Sequence, residues 1–287
     1  MATRIVFGCG YLGRRVALRW RAAGDRVVAV TRSDPTARQF VEQGLEPLVA
    51  DVTKPETLRG LPQAETLLYA VGYDRSGGPS IQEVYATGLA NVLAAAAPST
   101  ERVVYISTTG VYGDADGEWI DETTPPAPSR DGGRASLAAE EILGTSPFAS
   151  RGVSLRLAGI YGPDRLPYLA QLQAGEPIAA PSTGWLNLIH VDDAATTVLA
   201  AADQAAPPPI VCVSDGQPPL RSDYYAEVAR LIGAAPPTFT DPTADSPRAA
   251  RAAASKRVRS DLLARGLGVS LRYPSYREGL AAILGPA

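Results

Sequence analysis

The stretch that most restricts the fold is "GCGYLG", residues 8–13, set between a short apolar run, "RIVFG" (4–8), and a helix-period segment, "YLGRRVALRWRAAG" (11–24). Gly8, Gly10 and Gly13 stand in G-x-G-x-x-G spacing where a strand should hand over to a helix, the context in which this spacing has a mechanism. Gly8 permits the tight turn, Gly10 lets backbone N–H groups approach a pyrophosphate, and Gly13 lets the helix pack close to the strand. The helix N-terminus then presents partial positive charge to the phosphates. Residues Gly8, Cys9, Gly10, Tyr11, Leu12 and Gly13 are therefore candidate cofactor-binding residues. The alternative is a glycine-rich turn that holds no ligand.

The rest of the first 160 residues repeats the strand–helix alternation. Strands are expected at 26–32, 46–51, 65–72, 101–108 and 152–159, with helices at 36–43, 80–97 and 134–143. The strands read as continuous apolar runs, as strands buried on both faces do. Alternation of this kind implies an α/β fold, a Rossmann doubly wound parallel sheet. After residue 163 the pattern loosens. Helices are expected at 166–174, 191–204, 222–233 and 274–284, with short strands near 186–190 and 210–214 and Pro/Ala-rich loops at 205–209 and 234–255. This reads as a dinucleotide-binding domain over 1–163 and a smaller, partly interleaved C-terminal α/β substrate domain over 164–287. The polar stretch 114–133 is too long for a plain connection and suits a lid or binding loop.

Composition excludes several classes. A net charge of −3 over 287 residues gives no reason to expect nucleic acid or a membrane surface as partner. Cys9 and Cys212 form neither a metal-ligand spacing nor a disulfide framework, so no metal site is expected and a reducing, cytoplasmic setting is the default. The N-terminus lacks the regions of a signal peptide, and no apolar run approaches the ~20 residues of a membrane span.

Strand ends locate the remaining cofactor contacts, because this fold places ligands at the carboxyl ends of its strands. The second strand ends Thr31-Arg32-Ser33. Arg32 can fork around a 2′-phosphate, with Ser33 and Arg14 as helpers, so the expected cofactor is NADP, with NAD as the alternative through Asp34. Asp51 and Val52 end the third strand, beside an adenine. Ala70, Val71 and Gly72 end the fourth, where small residues let a cofactor lie flat.

"VYISTTGVYG" (104–113), "GIYGPDR" (159–165) and "NLIHVDDAA" (187–195) occur in the order and approximate spacing of the extended short-chain dehydrogenase/reductases, the nucleotide-sugar epimerase and dehydratase superfamily. The chain resembles that superfamily over nearly its whole length. The resemblance implies a nicotinamide cofactor and a Ser/Thr–Tyr–Lys trio. Thr108 falls on the Ser/Thr position. Ser107, Ala158 and Ile160, at the ends of the fifth and sixth strands, complete the candidate cofactor-binding set. The Tyr and Lys are missing: the family's helix, laid on "LAAEE", puts Gly132 and Ser136 on their positions. The only lysines are Lys54 and Lys256, each with Ala four residues before it, so no Tyr-x-x-x-Lys exists. Tyr85 stands where an Asn is common. With "SKRVRSDLL" and "YPSYREGL" near the C-terminus, these departures resemble the atypical, YeeZ-like branch.

Three readings follow. In the first, an NAD(P)-dependent oxidoreductase or epimerase acts on a small hydroxylated or carbonyl substrate. Thr108 orients that substrate, and Tyr112 or Tyr73 handles the proton; Arg134, Tyr161 and Glu122 are candidate substrate contacts. In the second, the chain is a catalytically silent NADP(H) sensor. In the third, a non-redox lyase or isomerase reuses the pocket. His190 is expected to be structural and satisfied by hydrogen bonds, beside a helix that Asp192 or Asp193 could cap. The small apolar faces of the helices at 80–97 and 134–143 suit a homodimer as well as packing on the sheet.

Overall fold

The computed structural model of the chain describes residues 1–242 and 255–285. Most of the expected loop at 234–255 lies outside the described residues. Strands β1 (Thr3–Phe7), β2 (Arg26–Thr31), β3 (Glu46–Val49), β4 (Thr66–Tyr69), β5 (Arg102–Thr108), β6 (Trp119–Ile120), β7 (Gly152–Leu157), β8 (Gly159–Tyr161), β9 (Ile178–Ala179), β10 (Leu188–His190), β11 (Ile210–Val213), β12 (Phe239–Thr240) and β13 (Arg257–Val258) alternate with helices. The α-helices are α1 (Gly13–Ala22), α2 (Asp34–Glu42), α3 (Gly88–Ala95), α4 (Asp131–Thr145), α5 (Leu169–Ala174), α6 (Val191–Asp203), α7 (Arg221–Leu231), α8 (Asp261–Arg265) and α9 (Tyr276–Leu284).

Seven strands form one parallel sheet in the order β11-β7-β5-β4-β1-β2-β3. The order reverses between β1 and β4, which opens a crevice at their carboxyl ends. Apolar side chains fill both faces of the sheet. Val16, Ala17, Trp20, Phe40, Val198 and Leu263 pack on one, and Leu89, Val92, Ala139 and Leu143 on the other. A separate cluster of Tyr161, Leu172, Leu188, Tyr224, Tyr225 and Leu280 makes the smaller C-terminal α/β unit. The chain returns from that unit to the main sheet: β11 pairs with β7 as its edge strand, and α6 packs on α1.

The helix expected at 80–97 forms over 81–95 and contains a π-turn. Glu83–Thr87 forms a π-turn ahead of α3. The buried Tyr69 hydroxyl donates to the Val84 carbonyl at 2.5 Å, taking a backbone acceptor from the helix ladder. Gly88 accommodates that ring, since a Cβ there would lie 2.5 Å from the Tyr69 hydroxyl. Such π-bulges interrupt helices where an inserted group competes for the ladder. The expected loop at 114–133 holds β6, which pairs in parallel with β13 of the "SKRVRSDLL" segment.

Candidate functional site

The crevice at the β1–β4 switch point is built from backbone. Gly8 has φ +87°, and a Cβ on it would stand 2.3 Å from the Ala70 carbonyl oxygen. A Cβ on Gly13 would stand 2.3 Å from the Gly8 oxygen. These two glycines are thus fixed by close approach of main chain to main chain. Gly10 is different: a Cβ there would meet nothing within 4 Å. Its outer face is the open side of the cradle, where a diphosphate can reach the amides. No side chain caps the N-terminus of α1, and its first turn holds no acid, so its N–H groups and partial positive charge suit an anion. These residues fit a dinucleotide.

The neighbours of the cradle are closely defined. Cys9 and Leu12 are buried, and burial pushes the Cys9 thiol up to about 11, so it is a packing residue and not a nucleophile. Tyr11 reaches across to the C-terminal part, its hydroxyl donating to the Pro163 carbonyl at 2.8 Å. Val71 and Gly72 continue from Ala70 at the end of β4, and Gly72 has open space on its Cβ side. The Asp51 carboxylate accepts from the Thr53 N–H and hydroxyl at 2.9 and 2.8 Å. Val52 is buried beneath it, and its carbonyl accepts from Asn91. Ser33 caps α2, accepting from the Thr36 N–H. Arg32 is 53% exposed and turns to Asp74, 3.5 Å away. The Asp74 carboxyl is held below its usual range by the Ser76 hydroxyl and N–H, with Arg32 adding to this.

Beyond β5 the chain makes a tight turn, Thr109–Tyr112, against which α4 begins. A Cβ on Gly133 would lie 2.5 Å from the Gly110 oxygen, so the helix start can seat on the turn only because this residue is glycine. A Cβ on Gly132 would point to Ile81, 3.5 Å away. Ile81 also lines a hollow of about 330 Å³ with Ser80, Gln82, Asp131 and Arg134. The half-buried Thr108 uses its hydroxyl oxygen to accept from the Gly110 N–H at 3.0 Å, which leaves its one proton for donation outward. Tyr73 is half-buried on the loop after β4. A larger depression, about 410 Å³, lies at the opposite, amino-terminal edge of the sheet. Its arginines are committed: Arg4 to Asp25 and Asp203, Arg102 to backbone carbonyls. The chemistry of this fold belongs at the other edge.

Several expected site residues are placed elsewhere. Tyr112 is 2% exposed; its hydroxyl accepts from Arg156 at 2.7 Å and lies 3.1 Å from the Cys212 sulfur. Burial, above all, drives its phenol far above the usual range, which corrects its reading as the proton carrier. Ser107 is turned inward, its hydroxyl donating to Glu140 at 2.5 Å, and Glu140 makes a forked ion pair with Arg156 at 2.6–3.2 Å. Tyr161 is buried under α9, its hydroxyl on the Ser275 carbonyl, and its phenol is likewise driven up by burial. Glu122 accepts from the Cys212 N–H at 2.7 Å, closing the free edge of β11 rather than facing a substrate. Arg134 pairs with Asp131 at 2.6 Å on the surface. Ala158 is buried, its N–H on the Val213 carbonyl, and Ile160 follows in β8. The cap of α6 is His190 itself: its Nδ1 accepts from the Asp192 N–H at 3.2 Å, while Asp193 takes the Arg272 and Tyr273 N–H groups. His190 Nε2 has no hydrogen-bond partner among the described residues, so it is satisfied on one side only.

Two cations that the sequence did not single out stand at this turn. Arg130 ends the loop before α4. Its Nη2 and the Thr108 Oγ1 come to 3.4 and 3.3 Å of the point a Gly110 Cβ would occupy. Lys256 is buried and donates from Nζ to the Gly113 carbonyl. The one available signal was the presence of Lys256 in "SKRVRSDLL". Among the described residues no three His, Cys, Asp or Glu side chains cluster as metal ligands, and no helix is long and apolar enough to cross a membrane.

Residues 5–213 match the NAD dependent epimerase/dehydratase family. The Escherichia coli K12 protein YeeZ is 28% identical over 245 residues, 82% of this chain and 85% of YeeZ. A solved structure of a functionally unknown conserved protein from Silicibacter pomeroyi is 32% identical and superposes with a TM-score of 0.80, covering 99% of this chain and 98% of that one. MoeE5, solved in complex with UDP-glucose and NAD, is 23% identical with a TM-score of 0.78, covering 99% of this chain and 97% of that one. MoeE5 and the Bordetella bronchiseptica enzyme WbmG, which share this fold, were solved with NAD. That overturns the expectation of NADP. Its physical basis fails as well, since a 2′-phosphate at Arg32 would meet the Asp74 carboxylate. The chain belongs to the NAD dependent epimerase/dehydratase family.

Proposed function

We propose that this member of the epimerase/dehydratase family is an NAD-dependent enzyme that interconverts a hydroxyl and a carbonyl on a small substrate, without a Tyr–Lys pair. The observation that carries the reading is the cradle: Gly8 and Gly13 are locked by main-chain contact while the outer face of Gly10 stays open. Gly8, Gly10 and the N-terminus of α1 would hold the diphosphate, and Asp51 and the Ala70–Gly72 edge would flank the dinucleotide. When bound, a nicotinamide dinucleotide supplies or accepts hydride.

The chain's own part is orientation and electrostatics. With its oxygen engaged by Gly110, the Thr108 hydroxyl serves as a directed donor to a substrate oxygen. Arg130, on the same face of the turn, adds a permanent positive charge. Neither is a base at neutral pH, so these residues stabilise charge on a substrate oxygen and leave proton delivery to water or to a neighbour.

The test is a titration with NAD and NADH followed by turnover on a panel of carbonyl compounds. Thr108→Val should lower kcat/KM about 10²-fold with NAD affinity retained, as expected for loss of one oriented donor. Tight NADH binding with no turnover on any compound would replace the enzyme by the sensor.

A further inference from the structure

We propose that Arg165, on the turn after β8, supplies the counter-charge for the cofactor's diphosphate at the Gly10–Tyr11 side of the cradle. The inference rests on the dinucleotide reading of that cradle and is independent of any catalytic assignment.

The turn that carries Arg165 is tightly specified. The Arg165 N–H donates to the Gly162 carbonyl at 3.0 Å, and the two residues form an antiparallel bridge. Pro163 stands second in the turn and a left-handed residue third, the type II pattern. That third position favours glycine, yet here it is Asp164, with φ +62°. The first position is set by space: a Cβ on Gly162 would stand 2.5 Å from the Tyr11 hydroxyl and 2.6 Å from a Val191 methyl carbon. The turn is thus pressed onto Tyr11, and a conformation uncommon for a residue with a Cβ persists because its surroundings hold it.

Tyr11 links this turn to the cradle. It directly follows Gly10, so its own N–H belongs to the loop that would meet the diphosphate. Its hydroxyl donates to the Pro163 carbonyl, and the Arg165 guanidinium carbon stands 5.1 Å from the centre of its ring. Arg15 stands 4.3 Å from the same centre, but it is committed. It donates to the Tyr11 carbonyl at 2.8 Å and faces the Asp192 carboxylate at 3.5 Å, which Arg19 also approaches at 3.4 Å. Arg165 differs. It is exposed, and among the described residues its guanidinium makes neither a hydrogen bond nor an ion pair, the adjacent Asp164 included. The tyrosine ring holds it by a cation–π contact, which leaves its N–H donors for a ligand.

Charge names that ligand. The amides of the cradle and the α1 dipole, roughly half a positive charge, meet a diphosphate that carries more negative charge than they offset. A guanidinium fork matches two phosphate oxygens. Arg165 is separated from the Tyr11 backbone by one ring, and its long side chain can turn over the ring edge without breaking any polar contact. Binding would then tie the segment after β8 to the loop after β1 through the cofactor itself.

The full chain is titrated with NAD, ADP and adenosine by calorimetry, with melting temperatures recorded on the same samples. Arg165→Gln should raise the Kd for NAD and for ADP about tenfold, as for loss of one charge-assisted contact. The Kd for adenosine, which has no phosphate, should move less than twofold, and the melting temperature should hold because the side chain is exposed. Arg165→Lys, which keeps the charge without the fork, should recover part of the loss. Two results would overturn the assignment: NAD affinity within twofold in Arg165→Gln, or an equal loss for adenosine and ADP, which would make Arg165 a support of the scaffold. Tight NAD binding that ignores Arg165→Gln removes this inference and leaves the dinucleotide reading. No NAD binding by the unmodified chain removes both.

Discussion

The turn after β1 and the turn after β5 lie on the same edge of one sheet, yet they are made differently. The first is main chain against main chain: Gly8 on Ala70, Gly13 on Gly8, with an open face at Gly10. The second is side chains gathered from afar: Thr108 from β5, Arg130 from the loop before α4, Lys256 from just ahead of β13. Behind the second turn lies a buried charged network, Ser107–Glu140–Arg156–Tyr112. Binding a cofactor through amides needs only that the backbone keep its path. Side-chain groups depend instead on the packing that delivers each of them.

Substitutions test that contrast. The largest effect is expected behind β5. Glu140→Ala strands the buried Arg156 charge and should cost about 3–5 kcal/mol, read as a loss of melting temperature on the order of 10 °C. Replacing both partners by Met should recover much of it; if the single change alone is harmless, the network is not what holds this side.

At the cradle, two glycines separate folding from binding. Gly8→Ala sets a Cβ against the Ala70 carbonyl in a left-handed conformation and should cost roughly 2 kcal/mol or more by denaturant unfolding. Gly10→Ala meets no protein atom and should stay within about 0.5 kcal/mol. Its methyl group would occupy the space a diphosphate needs, so the Kd for NAD should rise about tenfold or more. Equal effects on stability would erase the distinction between a packed glycine and an open one.

A further test uses Asp215, deep in the C-terminal unit, where burial raises the carboxyl to about 7. Its folded form binds the proton more tightly than the unfolded chain does. Its contribution to stability is therefore most favourable below about pH 4 and is lost as pH rises to about 7, by up to a few kcal/mol. Asp215→Asn should flatten that slope and be the more stable protein at pH 8, measured by denaturant midpoints across pH. The smallest effect is expected at Arg32. It is half-exposed and turned to Asp74, so Arg32→Ala should change the Kd for NAD less than about threefold, within the range of exposed pairs. A large loss would return the 2′-position of the ribose to the discussion.

The cradle was legible because its glycines carry their mechanism locally, in spacing and in flanking periodicity. The parallel sheet was legible for the same reason. Tyr112 and Tyr161 misled because a motif tyrosine reads the same whether it faces a crevice or fills a core. Only packing against Arg156 and Cys212, or beneath α9, decided the matter. Glu122 read as a loop acid, and its partner is a backbone amide 90 positions away. The π-turn at Glu83–Thr87 was invisible, since it depends on a tyrosine from another strand.

The sequence alone determined that strands and helices alternate, that the first turn can grip a diphosphate, and that no Tyr-x-x-x-Lys exists, because each depends on residues close together in the chain. Tertiary structure decided which cation stands by Thr108, which tyrosines are out of reach, and where β11 pairs. Those outcomes depend on contacts between distant segments, and neither local propensity nor spacing encodes them.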